Sequence, residues 1–369
     1  MAKHAYLEIL PERVGDHRAV QACCQVMPEW RDAASIEVLQ LQSKSAVYRL
    51  ARATAGGPTL IAKRCRAACA RHEWMIYEDF IAHLPAPALR CLGCWAEADG
   101  ENCWLFLEDA GGAGYLPASE AHRVLAGQWL AGIQVAAALK SGLAARLPNR
   151  EPDYYLKLLQ SSREILRTHY DNPALPAQDA RMLEGLVEDC DALDAIWDEV
   201  EAICLPAPRT LVHGDFVVKN VRVQETARGP ALWGFDWEHA NWGVPAADLA
   251  QFTGHSVSPD LETCAAVWRE HWPEAENLDP HKLAECGRFF RLLTAIGWVS
   301  PGLTFRPYRF LAHPVSLLRV YQARLHEALR TTTWMRTSVN LSTTYQRGTS
   351  HEHDKITPSG NPDREPVRT

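Results

Sequence analysis

The tightest constraint on this chain is one window: His213-Gly214-Asp215, then Asn220 five residues after that aspartate, then Asp236 beyond a second short apolar run. The runs TLVHGDFVVKNVRVQ and ALWGFDWEHA alternate as half-buried strands do, and a turn between them is expected at Arg228-Gly229-Pro230. Each of the three polar side chains therefore falls at the edge of a short strand. Loops there can bring two carboxylates and an amide oxygen together. Such a set fits phosphoryl transfer, where hard oxygen ligands hold magnesium against nucleotide phosphates and a separate carboxylate orients the attacking hydroxyl. Asp215 suits the second task, and Asn220 with Asp236 the first.

The rest of the chain divides around this window. Residues 1–34 read as an irregular or helical lead-in. SIEVLQLQ and SAVYRLARA form a hairpin around Ser43-Lys44-Ser45, and TLIAKR is a third strand that projects Lys63 from a defined face. A helix follows over ACARHEWMIYEDFIAHLP, with Trp74, Tyr77, Ile81 and Leu84 near helical spacing, and then ALRCLGCWAEA and NCWLFLED pair across an Asp99-Gly100 turn. After Gly111-Gly112-Ala113-Gly114 the character changes to helices, at about 118–145, 152–170, 178–203, 258–272, 280–298 and 306–331. From Thr331 onward the chain is poor in large apolar residues, and a disordered tail is expected.

HGDFVVKN followed by FDWEHANWGVPAADLA resembles the aminoglycoside phosphotransferase and choline kinase superfamily, relatives of the protein kinases. The pattern comprises His-Gly-Asp, the spaced Asn220, a hydrophobic-Asp-Trp at Asp236, Gly243-Val244-Pro245 and Asp248-Leu249-Ala250. The resemblance extends over about residues 35–330. It implies a bilobal, protein-kinase-like α+β fold with a small antiparallel-sheet N-lobe and a large, mostly helical C-lobe. The divisions it suggests are an N-terminal extension at 1–34, a nucleotide-binding N-lobe at 35–107, a catalytic and acceptor-binding C-lobe at 108–332, and the tail at 333–369.

By the same resemblance, ATP and Mg2+ are the cofactors, Asp215 is the catalytic carboxylate, and Asn220 and Asp236 are the metal ligands. Lys63 is expected on the nucleotide phosphates with Glu73 holding it, in preference to Glu78 on the same helix. Ser43 and Ser45 are candidate phosphate contacts. The segment Trp104 to Glu108 resembles a hinge, whose backbone groups, with Phe106 and Glu108 as the candidates, would receive the adenine. Asp248 and His213 read as scaffold, and Lys219 as a solvated loop lysine. The alternative is a nucleotide-binding pseudokinase with a regulatory or scaffold role; a metal-dependent hydrolase is disfavoured for want of a second His or carboxylate pair at metal spacing.

The formal net charge of −7 argues against a nucleic-acid partner held by phosphate attraction, and no apolar run reaches membrane-spanning length. The eleven irregularly spaced cysteines fit reduced thiols, so a cytoplasmic protein is expected. The partner is then a small molecule bearing a hydroxyl; the sequence sets no oligomeric state. Between Met182 and Ile203, eight Asp and Glu occur without a Lys or Arg. If that run forms a wall of the acceptor cleft, a cationic acceptor is expected; otherwise it is a solvated helix face.

Overall fold

Alternation of apolar and polar residues builds the N-terminal third into a five-stranded antiparallel sheet. Its elements in chain order are helix α1 (Arg18–Val26), strands β1 (Ala33–Leu41), β2 (Ser45–Arg52) and β3 (Thr59–Arg66), helix α2 (Ala67–Asp79), and strands β4 (Cys91–Ala96) and β5 (Asn102–Glu108). The strand order is β1-β2-β3-β5-β4. The computed structural model describes residues 13–42, 44–53, 57–84, 88–140, 142–250, 256–305 and 307–334. Ser43, the first twelve residues and the tail from 335 lie outside the described residues.

Register assigns the two faces of the sheet. Tyr48, Ala62 and Phe106 are cross-strand partners and point the same way, into a core closed by Ala19, Val20, Ala22 and Cys23 of α1. The opposite face carries Cys65, Cys103 and Leu105 against Ala67 and Ala70 of α2. Part of the lead-in is thus a layer of the sheet domain, since α1 supplies half of the apolar cover that a two-faced sheet needs.

Helix α2 buries Tyr77 of the stripe its large residues suggest but not Trp74. Its buried positions are Ala67, Ala70, Glu73, Ile76 and Tyr77, while Trp74 is 40% exposed. Two alanines let the helix approach the sheet closely, and the buried glutamate is satisfied by a lysine from β3, so the inward stripe is small and polar in part.

The remainder is largely helical. It begins with strand β6 (Ala113–Gly114), α3 (Glu120–Ala138), β7 (Asn149–Arg150), α4 (Pro152–Arg167), α5 (Ala177–Asp194) and α6 (Trp197–Cys204). The single helix expected over 178–203 is two, because Ile196 leaves helical geometry between α5 and α6. Next come strands β8 (Thr210–Val212), β9 (Val221–Thr226), β10 (Gly229–Gly234) and β11 (Asn241–Gly243), then helices α7 (Ala246–Leu249), α8 (Leu261–His271), α9 (Pro280–Val299) and α10 (Tyr308–Thr331). The turn joining β9 to β10 falls one residue earlier than expected. Gly229 and Pro230 already pair with Thr226 and Glu225, and a proline is tolerated because β10 is the edge of its sheet.

The architecture is the bilobal, protein-kinase-like α+β fold. Residues Met1–Arg330 form one unit, and Thr331–Thr369 a second, of which only 331–334 are described. All eleven cysteines are free thiols. Among the described residues no helix is long and apolar enough to cross a membrane.

Candidate active site

Two small sheets deliver the polar window. In the first, β8 pairs with β11, so the chain leaves Val212 directly into His213-Gly214-Asp215. Gly214 takes φ of 78°, and a Cβ there would overlap the carbonyl oxygen of His239, so glycine alone fits the turn. In the second, Gly234 pairs with Val221, and the Phe235 N–H donates to the Asn220 carbonyl at 3.0 Å. That closure sets Asn220 and Asp236 side by side at the open end of the hairpin. The Asn220 side-chain amide, buried to 2% exposure, donates to the Asp215 carbonyl at 2.9 Å and to Asp215 Oδ2 at 3.1 Å.

Asp236 is held in the left-handed region, at φ 73° and ψ 60°. A side chain with a Cβ pays on the order of 1–2 kcal/mol for that conformation. The turn aims its carboxylate at Lys63. Lys63 Nζ bonds Asp236 Oδ1 at short range, Glu73 Oε2 at 2.7 Å and Glu238 Oε2 at 3.4 Å. Glu73 is wholly buried, and its second oxygen accepts the Trp237 N–H at 3.3 Å.

The charges in this nest explain one another. Burial alone would lower the Lys63 pKa, but Glu73, Asp236 and Glu238 outweigh it and hold the ammonium well above its ordinary range. Burial pushes the Glu73 carboxyl up against the opposing pull of Lys63. Asp236, less enclosed, is raised by burial and drawn down further by Lys63, and the net direction is down.

Behind Asp215 the loop is braced by Asp248 of α7. Its two oxygens accept the backbone N–H groups of His213 at 2.7 Å and Gly214 at 2.9 Å. Burial raises the Asp248 carboxyl to about 6. His213 is also buried, which lowers it to about 4, and its Nε2 donates to the Phe235 carbonyl at 3.1 Å. The imidazole packs 4.5 Å from the Trp237 ring, and Trp129 stacks on Phe216 at 5.6 Å. Both side chains therefore position the Asp215 loop.

Lys63, Glu73, Asp215, Asn220 and Asp236 converge as the sequence reading expects. Ser45 starts β2 opposite Cys65, on the Lys63 face of the sheet, with Gln40 donating to its Oγ at 3.3 Å. Phe106 and Glu108 do not join the cluster. Phe106 points into the α1 core on the opposite face, and β3 and β4 flank its backbone on both sides; Glu108 pairs with Arg90 at the strand end. The strand partners of Lys63 are Val47 and Leu105, and those of Ile61 are Arg49 and Leu107. The apolar residues on the lysine's face therefore include Val47, Ile61, Leu105 and Leu107, beside Cys65 and Cys103. Strict alternation from Lys63 across the pairing register would have found them. Lys219 also departs from the solvated reading in part: its Nζ lies 3.2 Å from Asp215 Oδ2 and 3.9 Å from Asp236 Oδ2, although the side chain is 65% exposed.

Asp215 also opens onto a pocket of about 200 Å³ on its other side. Arg150, Arg291 and Arg324 line it, with Thr294, Tyr321 and Trp298. The acidic run of α5 and α6 is elsewhere. Asp191 and Asp194 pair with Arg163 of α4 at 2.9 and 2.7 Å, Asp191 also meets Arg167, and Asp189 meets His326 at 2.9 Å. These carboxylates tie helices together and do not line the pocket beside Asp215, which removes the basis for expecting a cationic acceptor from that run.

Residues 36–286 match the family model described as the phosphotransferase enzyme family. No curated protein matches the chain. Among solved structures, wild-type aminoglycoside 2'-phosphotransferase-IIIa in its GDP complex is similar at a TM-score of 0.56 and 14% identity, over 83% of this chain and 99% of that one. Choline kinase from Cryptosporidium parvum Iowa II gives a TM-score of 0.53 and 12% identity, over 84% of this chain and 95% of that one. A thermostable mutant of aminoglycoside phosphotransferase APH(4)-Ia, in a ternary complex with ADP and hygromycin B, gives 0.52 and 14%, over 83% and 97%. At these identities the likeness is one of fold.

Proposed function

The chain belongs to the phosphotransferase enzyme family, and from that membership we propose that it transfers the γ-phosphoryl group of ATP, with magnesium, to a hydroxyl of a small molecule. The observation that carries this reading is the convergence of Asp215, Asn220 and Asp236 beside a buried lysine paired with Glu73. The solved neighbours named above that hold GDP or ADP are consistent with a nucleotide in the cleft.

The donor set fits magnesium. Asn220 can offer its amide oxygen and Asp236 its carboxylate, and carboxylate oxygens of Glu73, Asp236 and Glu238 lie within 4.8 Å of one another. Hard oxygens are what Mg2+ takes. Asn220 and Asp236 would hold the ion, which when bound neutralises charge on the phosphate oxygens. Lys63, fixed by Glu73, supplies a positive charge for the phosphates and offsets the charge that develops during transfer. Val47, Ile61 and Leu107 offer an apolar ledge for the base, and Ser45 a hydroxyl near the phosphate end. Asp215 orients the acceptor hydroxyl and takes its proton, while Asp248 and His213 keep its loop in place. We assign nucleotide binding to residues 35–107 with α1 as their cover, and catalysis and acceptor binding to the helical part that follows.

Asp215→Asn tests the assignment, because it keeps the side-chain shape and removes the proton acceptor. Phosphoryl transfer should fall by roughly 100-fold or more while nucleotide affinity holds. Turnover close to the parent's would overturn the role of Asp215, and nucleotide binding with no transfer by the parent to any acceptor would support the pseudokinase reading.

A further inference from the structure

We propose that Lys219 is a second catalytic cation of the transfer step, its ammonium contacting the oxygens of the γ-phosphoryl group as that group passes to the acceptor. The inference rests on the phosphotransferase reading above and deepens it. Lys219 Nζ lies 3.2 Å from Asp215 Oδ2 and 3.9 Å from Asp236 Oδ2. Under the roles assigned above, Asp215 takes the hydroxyl and Asp236 the ion that holds the phosphates. The group in transit therefore crosses the gap that this ammonium spans. Lys63 meets Asp236 at its other oxygen, Oδ1, so the two lysines address that carboxylate at different oxygens.

The local chain suits a cation that changes partners on a fixed base. Lys219 sits in the short turn Val218–Asn220. There the Asn220 N–H donates to the Val217 carbonyl at 2.9 Å, and the Lys219 carbonyl accepts from Arg222 Nη1 at 3.2 Å. The backbone is thus tied while the side chain is 65% exposed, against 9% for that of Lys63. An exposed ion pair adds little to stability, so holding the fold together does not account for the contact with Asp215. A flexible four-carbon stem carrying three donors can leave a carboxylate oxygen for a phosphoryl oxygen, and an ammonium serves phosphate as a compact point charge.

In the step itself, the acceptor oxygen forms a bond to the γ-phosphorus while the bond from that phosphorus to the β,γ-bridging oxygen breaks. The bridging oxygen keeps the electron pair and leaves as part of ADP, and the hydroxyl proton passes to Asp215. Lys219 stays protonated throughout. It donates hydrogen bonds to the phosphoryl oxygens, where charge is spread during a loose transfer, from the side opposite the buried Lys63.

The test is calorimetric titration of the full chain, in the presence of magnesium, with three probes: ADP, AMP-PNP, and ADP with aluminium fluoride, which mimics the phosphoryl group in flight. Lys219→Met keeps the stem and removes the charge. It should weaken at least one of the two phosphoryl mimics by about tenfold or more relative to ADP, the fold-change that a lost charge-assisted hydrogen bond gives. Lys219→Arg restores the charge and should return that mimic to within about threefold of the parent. Because the side chain is exposed, the thermal midpoint of the unliganded Lys219→Met protein should stay within about 2 °C of the parent's.

Affinities for both mimics that keep the parent's ratio to ADP would overturn the proposal and leave the kinase reading in place. An equal loss for all three probes would overturn it as well, since Lys219 would then support the loop or the diphosphate and not the group in flight. Failure of Lys219→Arg to recover any of the loss would show that charge is not what the methionine removed, with the same consequence. A parent protein that binds none of the three probes would overturn the phosphotransferase reading itself, and the proposal with it.

Discussion

Lys63 shows how strongly a single side chain can be committed. Its ammonium is the common partner of Glu73, Asp236 and Glu238, and Glu73 has no exposure to water. Removing one member of a buried ion pair leaves the other charge uncompensated, which costs about 3–5 kcal/mol. Lys63→Met should therefore lower stability in urea unfolding by that order, and adding Glu73→Gln should restore a large part by removing the stranded charge. Equal stability of the single and double variants would show that Glu73 does not depend on Lys63. The pairing was legible before the structure, because a lysine projecting from a strand and a glutamate on the next helix matched the superfamily's pattern. The left-handed backbone at Asp236 was not, since no glycine or asparagine marks it and the conformation is imposed by the hairpin closing at Phe235 and Asn220.

Between elements, the approach of α9 to α7 fixes the brace behind the active-site loop. A Cβ at Gly287 of α9 would overlap the carbonyl oxygen of Ala246 at the start of α7, and backbone cannot yield as a side-chain tip can. Gly287→Ala should cost about 1–3 kcal/mol or more through overpacking, although alanine is the better helix former by about 1 kcal/mol. A thermal midpoint at or above the parent's would show that α7 shifts freely, and the brace role of Asp248 would fall with it. The order of elements was readable from periodicity and turn residues, but their inward faces were less so. In α2 the large residues suggested a stripe through Trp74 and Tyr77; Tyr77 is buried, but Trp74 is not, and Ala67, Ala70 and Glu73 turn inward because closeness to β3 and a partner for Lys63 decide the packing. In β5 the choice of Phe106 followed a motif, and the pairing register puts Leu105 and Leu107 on the lysine's face. The arginine pocket was illegible for another reason: Arg150, Arg291 and Arg324 lie far apart in the chain, and only the packing of β7, α9 and α10 brings them together.

For the molecule as a whole, the buried pair behind the site makes stability a balance of two opposed titrations. Asp248 is raised in the fold from 3.8 to about 6, so the folded state binds the extra proton between those values. Its contribution is fully present below about pH 4 and is lost as pH rises through about 6. His213 is lowered from 6.5 to about 4, so between those values the unfolded chain binds the extra proton. Its contribution is present above about 6.5 and is lost as pH falls through about 4. Each shift is worth about 3 kcal/mol, and over pH 4 to 6.5 the two nearly offset. His213→Gln keeps a side-chain donor for the Phe235 carbonyl and takes away the titrating ring. The Asp248 contribution then stands uncompensated, and the variant should gain stability relative to the parent as pH falls from 7 to 4.5, by about 2–3 kcal/mol in urea unfolding. Parallel pH profiles for variant and parent would mean that His213 is not held neutral by the fold. A variant that instead loses stability faster in acid would mean that Asp248 keeps its charge, with the two backbone N–H groups of His213 and Gly214 outweighing its burial.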